Sequence, residues 1–252
     1  MPRRGGSYWN NANKRARSRV INYLFDASVA IEFYKPKATY SSKEEYERSR
    51  DIRIYVSKQK IENDAMLFIP SFCIAEVRNI LAKWYFRYKG IFRSQEHYKT
   101  VFNTFISHVR DRNFFYSYDL NRYHNLNTTL VTEIEHQTNT EFDASCLPVN
   151  TDKSIIEKKL KEKNPNDHIG RYYLSTFDIL IIAMGMELKK ITGEEVYLLT
   201  KDERLALISS KQDEFPKPLY WSKLQVENLP KKITENQEIP PDEKPEVPTS
   251  IN

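Results

Sequence analysis

Four short runs of β-branched, aromatic and aliphatic residues stand out from an otherwise polar chain. They are 20–25 (VINYLF), 66–69 (MLFI), 114–118 (FFYSY) and 196–200 (VYLLT). Each is too short for a typical helix and is bounded by turn-forming or charged residues, the pattern of buried strands. Residues 218–221 read as a last edge strand. Between the runs lie amphipathic stretches with helix start and stop signals. Ser41 or Ser42 with Glu44 or Glu45 resembles a capping box and predicts a helix over 42–62. Ser71 is the expected cap of a helix reaching Tyr88, with Gly90 as its stop. Ser94 opens a helix to about Arg110. Residues 151–163 read as helical, broken by Asn164-Pro165. Thr176 is the expected cap of a helix over 177–190, and 202–209 form a short one. The stretch after Tyr118 is polar and Asn-rich and yields no predicted element. Strands alternating with helices predict an α/β fold with a mainly parallel sheet. In such sheets ligands bind beyond the carboxyl ends of the strands.

A chain of 252 residues can hold one or two domains and bury a core without staples. Apolar residues make up 40% and charged residues 29%, an ordinary globular balance. The longest uninterrupted apolar stretch, 179–186, is too short for a bilayer span. No apolar segment follows the basic N-terminus, so neither a secretory signal nor a membrane association is expected. The two cysteines, Cys73 and Cys146, lack metal-ligand spacing. That excludes a disulfide scaffold, a zinc ribbon and an iron–sulfur protein, and makes the reducing cytoplasm the expected compartment.

The net charge of +5 is unevenly spread. Residues 1–19 contain Arg3, Arg4, Lys14, Arg15, Arg17 and Arg19 and no acid. Such a flexible basic arm suits a phosphate backbone, with Arg15 and Arg17 as contacts and Tyr8 and Trp9 for stacking. It reads equally well as a solvated leader. Residues 231–252 are rich in proline and acid and have no apolar period, so a disordered tail is expected. The folded body is then 20–230.

Four acids interrupt the most apolar segments. Asp26 follows VINYLF, Glu76 lies in FIPSFCIAEVRNIL, Asp178 in LSTFDILIIAMGMEL and Asp202 in VYLLTKDERLALI. Each falls at a strand's carboxyl end or in a helix entered from there, so a doubly wound sheet would bring all four to one crevice. Clustered carboxylates raise one another's pKa unless a cation compensates, and all-oxygen ligands select Mg²⁺ or Mn²⁺ over zinc. Such ions polarise a phosphoryl oxygen, activate water and stabilise a leaving oxygen. The implied reaction is in-line attack of water on a phosphodiester. Ser28 and Thr200 flank the acids and would orient a carboxylate or water. Taken singly, each acid has an ordinary structural role: Asp26 as a turn residue, Glu76 paired with Arg78 or Lys83, Asp178 at a helix N-terminus, Asp202 as a cap.

The ordered segments YLFDASVAIEFY, IPSFCIAEVRNIL, STFDILIIAMGMEL and VYLLTKDERLALI resemble the PIN-domain family, especially VapC-like toxin ribonucleases. The resemblance covers about 20–90 and 170–222. It implies an α/β/α sandwich around a mainly parallel sheet, and metal-dependent cleavage of RNA. It also implies Mg²⁺ or Mn²⁺ held by Asp26, Glu76 and Asp178, with Asp202 completing the acidic site. A cognate antitoxin protein and a homodimer are the partners it implies. Glu76 and Asp178 are farther apart in sequence than in a compact toxin of this family, so 91–170 is expected to be partly insertion and largely helical. That insertion and the two termini are departures that bear on substrate and on a toxin role.

The insertion contains His97, His108, His124, His136 and His168. His168, beside Asp167 and Arg171, is a weak candidate for chemistry near phosphate. Lys158, Lys159, Lys161 and Lys163 form either a solvated face or an RNA-facing patch. Arg78 and Lys83 are candidate phosphate contacts, or cover the wet side of their helix. A haloacid-dehalogenase type of phosphatase would need an acid where Ser28 stands, and no Gly-rich phosphate loop is present among six glycines. The expected function is a metal-dependent endoribonuclease. The alternatives are a non-catalytic PIN-fold nucleic-acid-binding or scaffolding module and a DNA-directed nuclease.

Overall fold

A computed structural model describes residues 20–62, 65–88, 91–112, 114–146 and 174–231, with side chains from 139 to 146 left aside. The basic arm with Arg15 and Arg17, Gly90, the predicted helix 151–163, its lysine run, His168 and the acidic tail all lie outside these residues.

Five strands form one all-parallel sheet: β1 (Ile21–Phe25), β2 (Ala65–Pro70), β3 (Tyr116–Tyr118), β4 (Val196–Thr200) and β5 (Lys217–Tyr220). The spatial order is β3-β2-β1-β4-β5. All five residues of β1 are buried, which is why this strand is apolar at every position but Asn22 and does not alternate. Parallel strands need crossovers, and the helices supply them. On one side α2 (Lys43–Ile61) and α3 (Ser71–Arg87) pack on β2, with α4 (Gln95–Arg110) against α3. On the other, α6 (Thr176–Thr192) packs on β4, and α7 (Glu203–Ser209) packs on β4 and β5. The long α5 (Arg122–Cys146) lies on α6 and α7. A one-turn α1 (Ala27–Ala30) follows β1 directly. The architecture is an α/β/α sandwich, and no described helix is long and apolar enough to cross a membrane.

Strand and helix ends follow local chemistry, with three corrections to the sequence reading. Ser42 caps α2 by accepting the Glu45 N–H, and Ser94 caps α4 by accepting the His97 N–H. Ser71 does not cap α3. Pro70 occupies the cap position and Ser71 is the first helical residue; proline's fixed φ suits the turn into a helix. Thr176 is likewise inside α6, and its neighbour Ser175 is the cap. Asn-rich sequence after Tyr118 forms not a loop but α5. Its buried positions are His124, Val131, Ile134, Glu135 and Thr138, so the core-facing stripe is largely polar. Each polar member has a hydrogen-bond partner, near in sequence for His124 and Thr138 and distant for Glu135. His124 meets the Tyr118 hydroxyl and the Asn121 N–H, Thr138 donates to the Ile134 carbonyl, and Glu135 accepts from the Leu174 N–H. The segment expected as an insertion thus contributes β3 to the sheet and α5 to the helical layer.

Helix α6 ends at Gly193, whose φ of 68° is the left-handed conformation of a C-terminal stop, with its N–H on the Lys189 carbonyl. Gly185 in the same helix is needed for a different reason. A Cβ there would lie 2.6 Å from Pro216 Cγ, and a proline ring cannot swing aside. Gly185→Ala should therefore cost about 1–3 kcal/mol by overpacking, despite alanine's better helix propensity. Urea unfolding checks this, and a variant as stable as wild type would contradict the close approach.

Candidate active site

The chain reverses its direction of travel across the sheet at β1, whose neighbours are β2 and β4. This is the topological switch point, where a crevice opens beyond the strand ends. A cavity of about 660 Å³ lies there, and Asp26, Glu76, Asp178 and Asp202 all line it. Ser28, Ala75, Asn79 and Ser175 also contribute, together with Phe72 and Phe177.

Each acid arrives by its own local logic. Asp26 is the residue after β1, and its N–H continues the strand pairing by donating to the Leu199 carbonyl at 3.1 Å. It stands at the N-cap position of α1 without capping it. Instead its Oδ2 accepts the hydroxyls of Ser28 and, at 3.0 Å, Thr200. Both residues singled out beside the acids therefore touch the Asp26 carboxylate. Thr200 Oγ1 also accepts the Asp202 N–H at 2.9 Å, and Ser28 Oγ accepts the Lys201 N–H at 3.1 Å. These bonds tie the end of β1 to the turn after β4.

Asp178 is the third residue of α6 and completes a capping box. Ser175 Oγ accepts the Asp178 N–H, and Asp178 Oδ2 accepts the Ser175 N–H at 2.9 Å. Asp202 caps α7 by accepting the Leu205 N–H at 2.8 Å. The ordinary structural roles of these two acids are thus real, and both still line the cavity. Each bond also fixes one carboxylate oxygen. Glu76 is exposed on α3, and among the described residues it forms no ion pair with Arg78 or Lys83. Lys83 acts on it only through its charge. Arg78 lies over the Phe102 ring at 5.8 Å, toward α4.

The electrostatics are those of a crowded acidic site. Burial raises the pKa of Asp26; the Ser28 and Thr200 hydroxyls hold it down in part, and Asp178 pushes it further up. Partial desolvation of its carboxyl at the cavity, and then the charges of Asp26 and Asp178, raise Glu76 although the residue is exposed along α3. Burial, with Asp202 adding to it, raises Asp178 against the pull of the Ser175 bonds. The buried Cys73 thiol is also pushed up, first by burial and then by Asp26. No described group of three or more His, Cys, Asp or Glu is already drawn together as a metal-ligand cluster.

Asn79 also lines the cavity, although nothing in the sequence patterns above singles it out. It lies one helical turn beyond Glu76 on α3, and that spacing is the only signal that could have found it. His97, His108 and His124 do not line the cavity. His108 hydrogen-bonds the Tyr34 hydroxyl at 2.9 Å.

No family model matches the sequence, and no curated protein matches it. Among solved structures, the chain is similar to VapBC2 from Rickettsia felis bound to a DNA fragment from their promoter. The identity is 10%, over 79% of this chain and 98% of that one, with a TM-score of 0.37. A likeness at that level carries nothing about what this chain does.

Proposed function

We propose that the chain is a metal-dependent endoribonuclease. The observation that supports this best is the convergence of four carboxylates on one cavity at the sheet's switch point, three of them with raised pKa values. Such a site repels a phosphodiester unless a cation intervenes. The donor chemistry fits Mg²⁺ or Mn²⁺, being all oxygen and all acidic. Asp26, Glu76, Asp178 and Asp202 are the residues that would hold it. When bound, such an ion supplies Lewis-acid charge at a phosphoryl oxygen and lowers the pKa of a water.

The chain's own residues do the positioning. Ser28 and Thr200 hold one oxygen of Asp26, and Ser175 holds one of Asp178. Lys83 lies close enough to Glu76 to offset its charge in part. Preference for RNA over DNA rests on the resemblance of the four sequence segments to VapC-like ribonucleases. That resemblance extends the reading to a toxin with an antitoxin partner and to a homodimer, both testable by co-expression and light scattering.

A second reading, a non-catalytic nucleic-acid-binding module, is favoured by one observation. Asp178 and Asp202 already have structural work as helix caps. The two readings separate by cleavage of a labelled RNA pool with Mn²⁺, Mg²⁺ or EDTA. Cutting with either metal and none in EDTA is the expected result. Mn²⁺ should also raise the melting temperature, by mass action on the folded state. RNA affinity that is indifferent to EDTA, with no cutting and no thermal shift, would favour the binding module.

A further inference from the structure

Beside the carboxylates stands a feature that the nuclease reading does not use. The rings of Phe72 and Phe177 are stacked, with centroids 5.1 Å apart and planes inclined by 27°. Both line the cavity that the four acids line. The two rings differ in their surroundings. Phe72, in the first turn of α3, is packed against the hydrophobic core. Phe177, in the first turn of α6 and adjacent to Asp178, is 56% exposed. Phe72 therefore serves as a fixed backing, and Phe177 presents ring surface to solvent at the cavity's edge.

A single exposed apolar residue on a surface is ordinary. This one differs by being held flat against a second ring and by sharing a cavity with an acidic site. Other exposed aromatics, Phe86 and Tyr88 at the far end of α3, do not line it. What suits an open aromatic face bordered by amide and charge is a planar, polar-edged ring. Asn79 supplies the amide, with both donor and acceptor for a base edge. Lys83, one turn further along α3, supplies a cation near Glu76.

We propose that the Phe72–Phe177 stack is a base-stacking subsite, which holds one unstacked nucleobase of a single-stranded RNA next to the carboxylates. The inference rests on the nuclease reading for its choice of ligand and names the substrate class within it: single strands and loops, not duplex. In a duplex each base is already stacked, and drawing one out costs a few kcal/mol. Base–aromatic stacking tolerates any base, so the subsite selects for strandedness and not for sequence.

The test uses the full-length chain carrying Asp26→Asn, so that RNA is bound in Mg²⁺ but not cut. The probe is a single-stranded RNA with one 2-aminopurine, whose fluorescence falls when the base stacks. Quenching on binding is expected, and Phe177→Ala should abolish it and weaken affinity about tenfold. Phe177→Tyr should restore both. Phe177→Leu should not, because it keeps apolar bulk and loses the ring face. A duplex of the same sequence should show no quenching. Phe177 is largely exposed, so these variants are expected to fold, and circular dichroism checks it.

Unchanged affinity and quenching in Phe177→Ala would overturn the subsite, as would full function in Phe177→Leu; the ring would then be a contact for something other than a base. The failures are distinguishable. If wild type cuts RNA but Phe177→Ala binds normally, the subsite falls and the nuclease stands. If wild type never cuts but quenching depends on Phe177, the subsite stands and catalysis falls.

Discussion

Asp26→Asn should reduce metal-dependent RNA cleavage by more than about 100-fold while leaving the fold intact. Losing a group that merely supports a metal ligand costs about 10- to 100-fold; Asp26, as a proposed ligand, should cost more. The substitution is nearly isosteric. An amide oxygen can accept the Ser28 and Thr200 hydroxyls that now reach Oδ2, so the tie between β1 and β4 survives. What disappears is a charge buried beside Asp178. The pKa of Asp26 is raised in the folded state, so the native protein binds that proton more readily than the unfolded chain does. Its ionised form then costs stability, increasingly as pH rises through the interval from the unfolded to the folded pKa. In EDTA at neutral pH the variant should melt at or above the wild-type temperature. That advantage should shrink near pH 4, where unfolded aspartates also take up protons. Cleavage at the wild-type rate by protein purified free of contaminating nuclease would sink the assignment of the site. A lower melting temperature in EDTA would show that the carboxylate is structurally required.

Glu32→Gln should destabilise the protein by about 3 kcal/mol, the low end for breaking a buried ion pair. Glu32 is only 1% exposed. Its carboxylate accepts from Lys201 Nζ at 2.7 Å and from the Ser49 hydroxyl at 3.0 Å, with Lys35 Nζ at 3.5 Å. The low end applies because the Lys201 side chain is 27% exposed and can turn toward water. For a chain of this size the loss corresponds to a fall in melting temperature on the order of 10 °C.

The acid dependence differs in sign from that of Asp26. Burial alone would raise the pKa of Glu32, but the Lys201 hydrogen bond and the Lys201 and Lys35 charges outweigh it and hold it below the ordinary value. Its stabilisation is complete above the unfolded pKa and is lost as pH falls through the folded one. The glutamine variant should therefore lose less stability than wild type on acidification, and thermal melts between pH 7 and pH 3 would show it. Equal stability at pH 7 would mean that Lys201 and Lys35 are satisfied without Glu32. Because the Lys201 N–H donates to Ser28, the variant should also weaken metal binding by loosening the turn that carries Asp202.

The sequence by itself determined the strands, the order of the acids and most helix starts, because those depend on local chemistry. A strand buried on both faces is largely apolar and does not alternate, as β1 and β4 show with Asn22 and Thr200 as their exceptions. A serine three residues before a glutamate or aspartate can satisfy a free helix N–H from local sequence alone, as Ser42 and Ser175 do. Local rules were ambiguous only where two candidates were adjacent, and there the choice fell on Ser71 and Thr176 instead of Pro70 and Ser175.

Tertiary structure decided the rest. Segment 91–170 is expected from sequence to be largely helical, but α5 itself has no legible apolar stripe, because His124, Glu135 and Thr138 occupy core-facing positions and their polarity is tolerated only through Tyr118, Leu174 and the Ile134 carbonyl. The stripe of α2 mixes Ser49 and Gln59 with Ile52 and Val56 for the same reason. Gln59 accepts from the Tyr23 hydroxyl and donates to the Pro230 carbonyl, bonds spanning distant parts of the chain. Whether four separate acids share a cavity, and whether Asn79 and the Phe72–Phe177 stack border it, depends on where the strand order reverses. Strand order is a property of long-range pairing, and no local pattern of hydrophobic and polar residues encodes it.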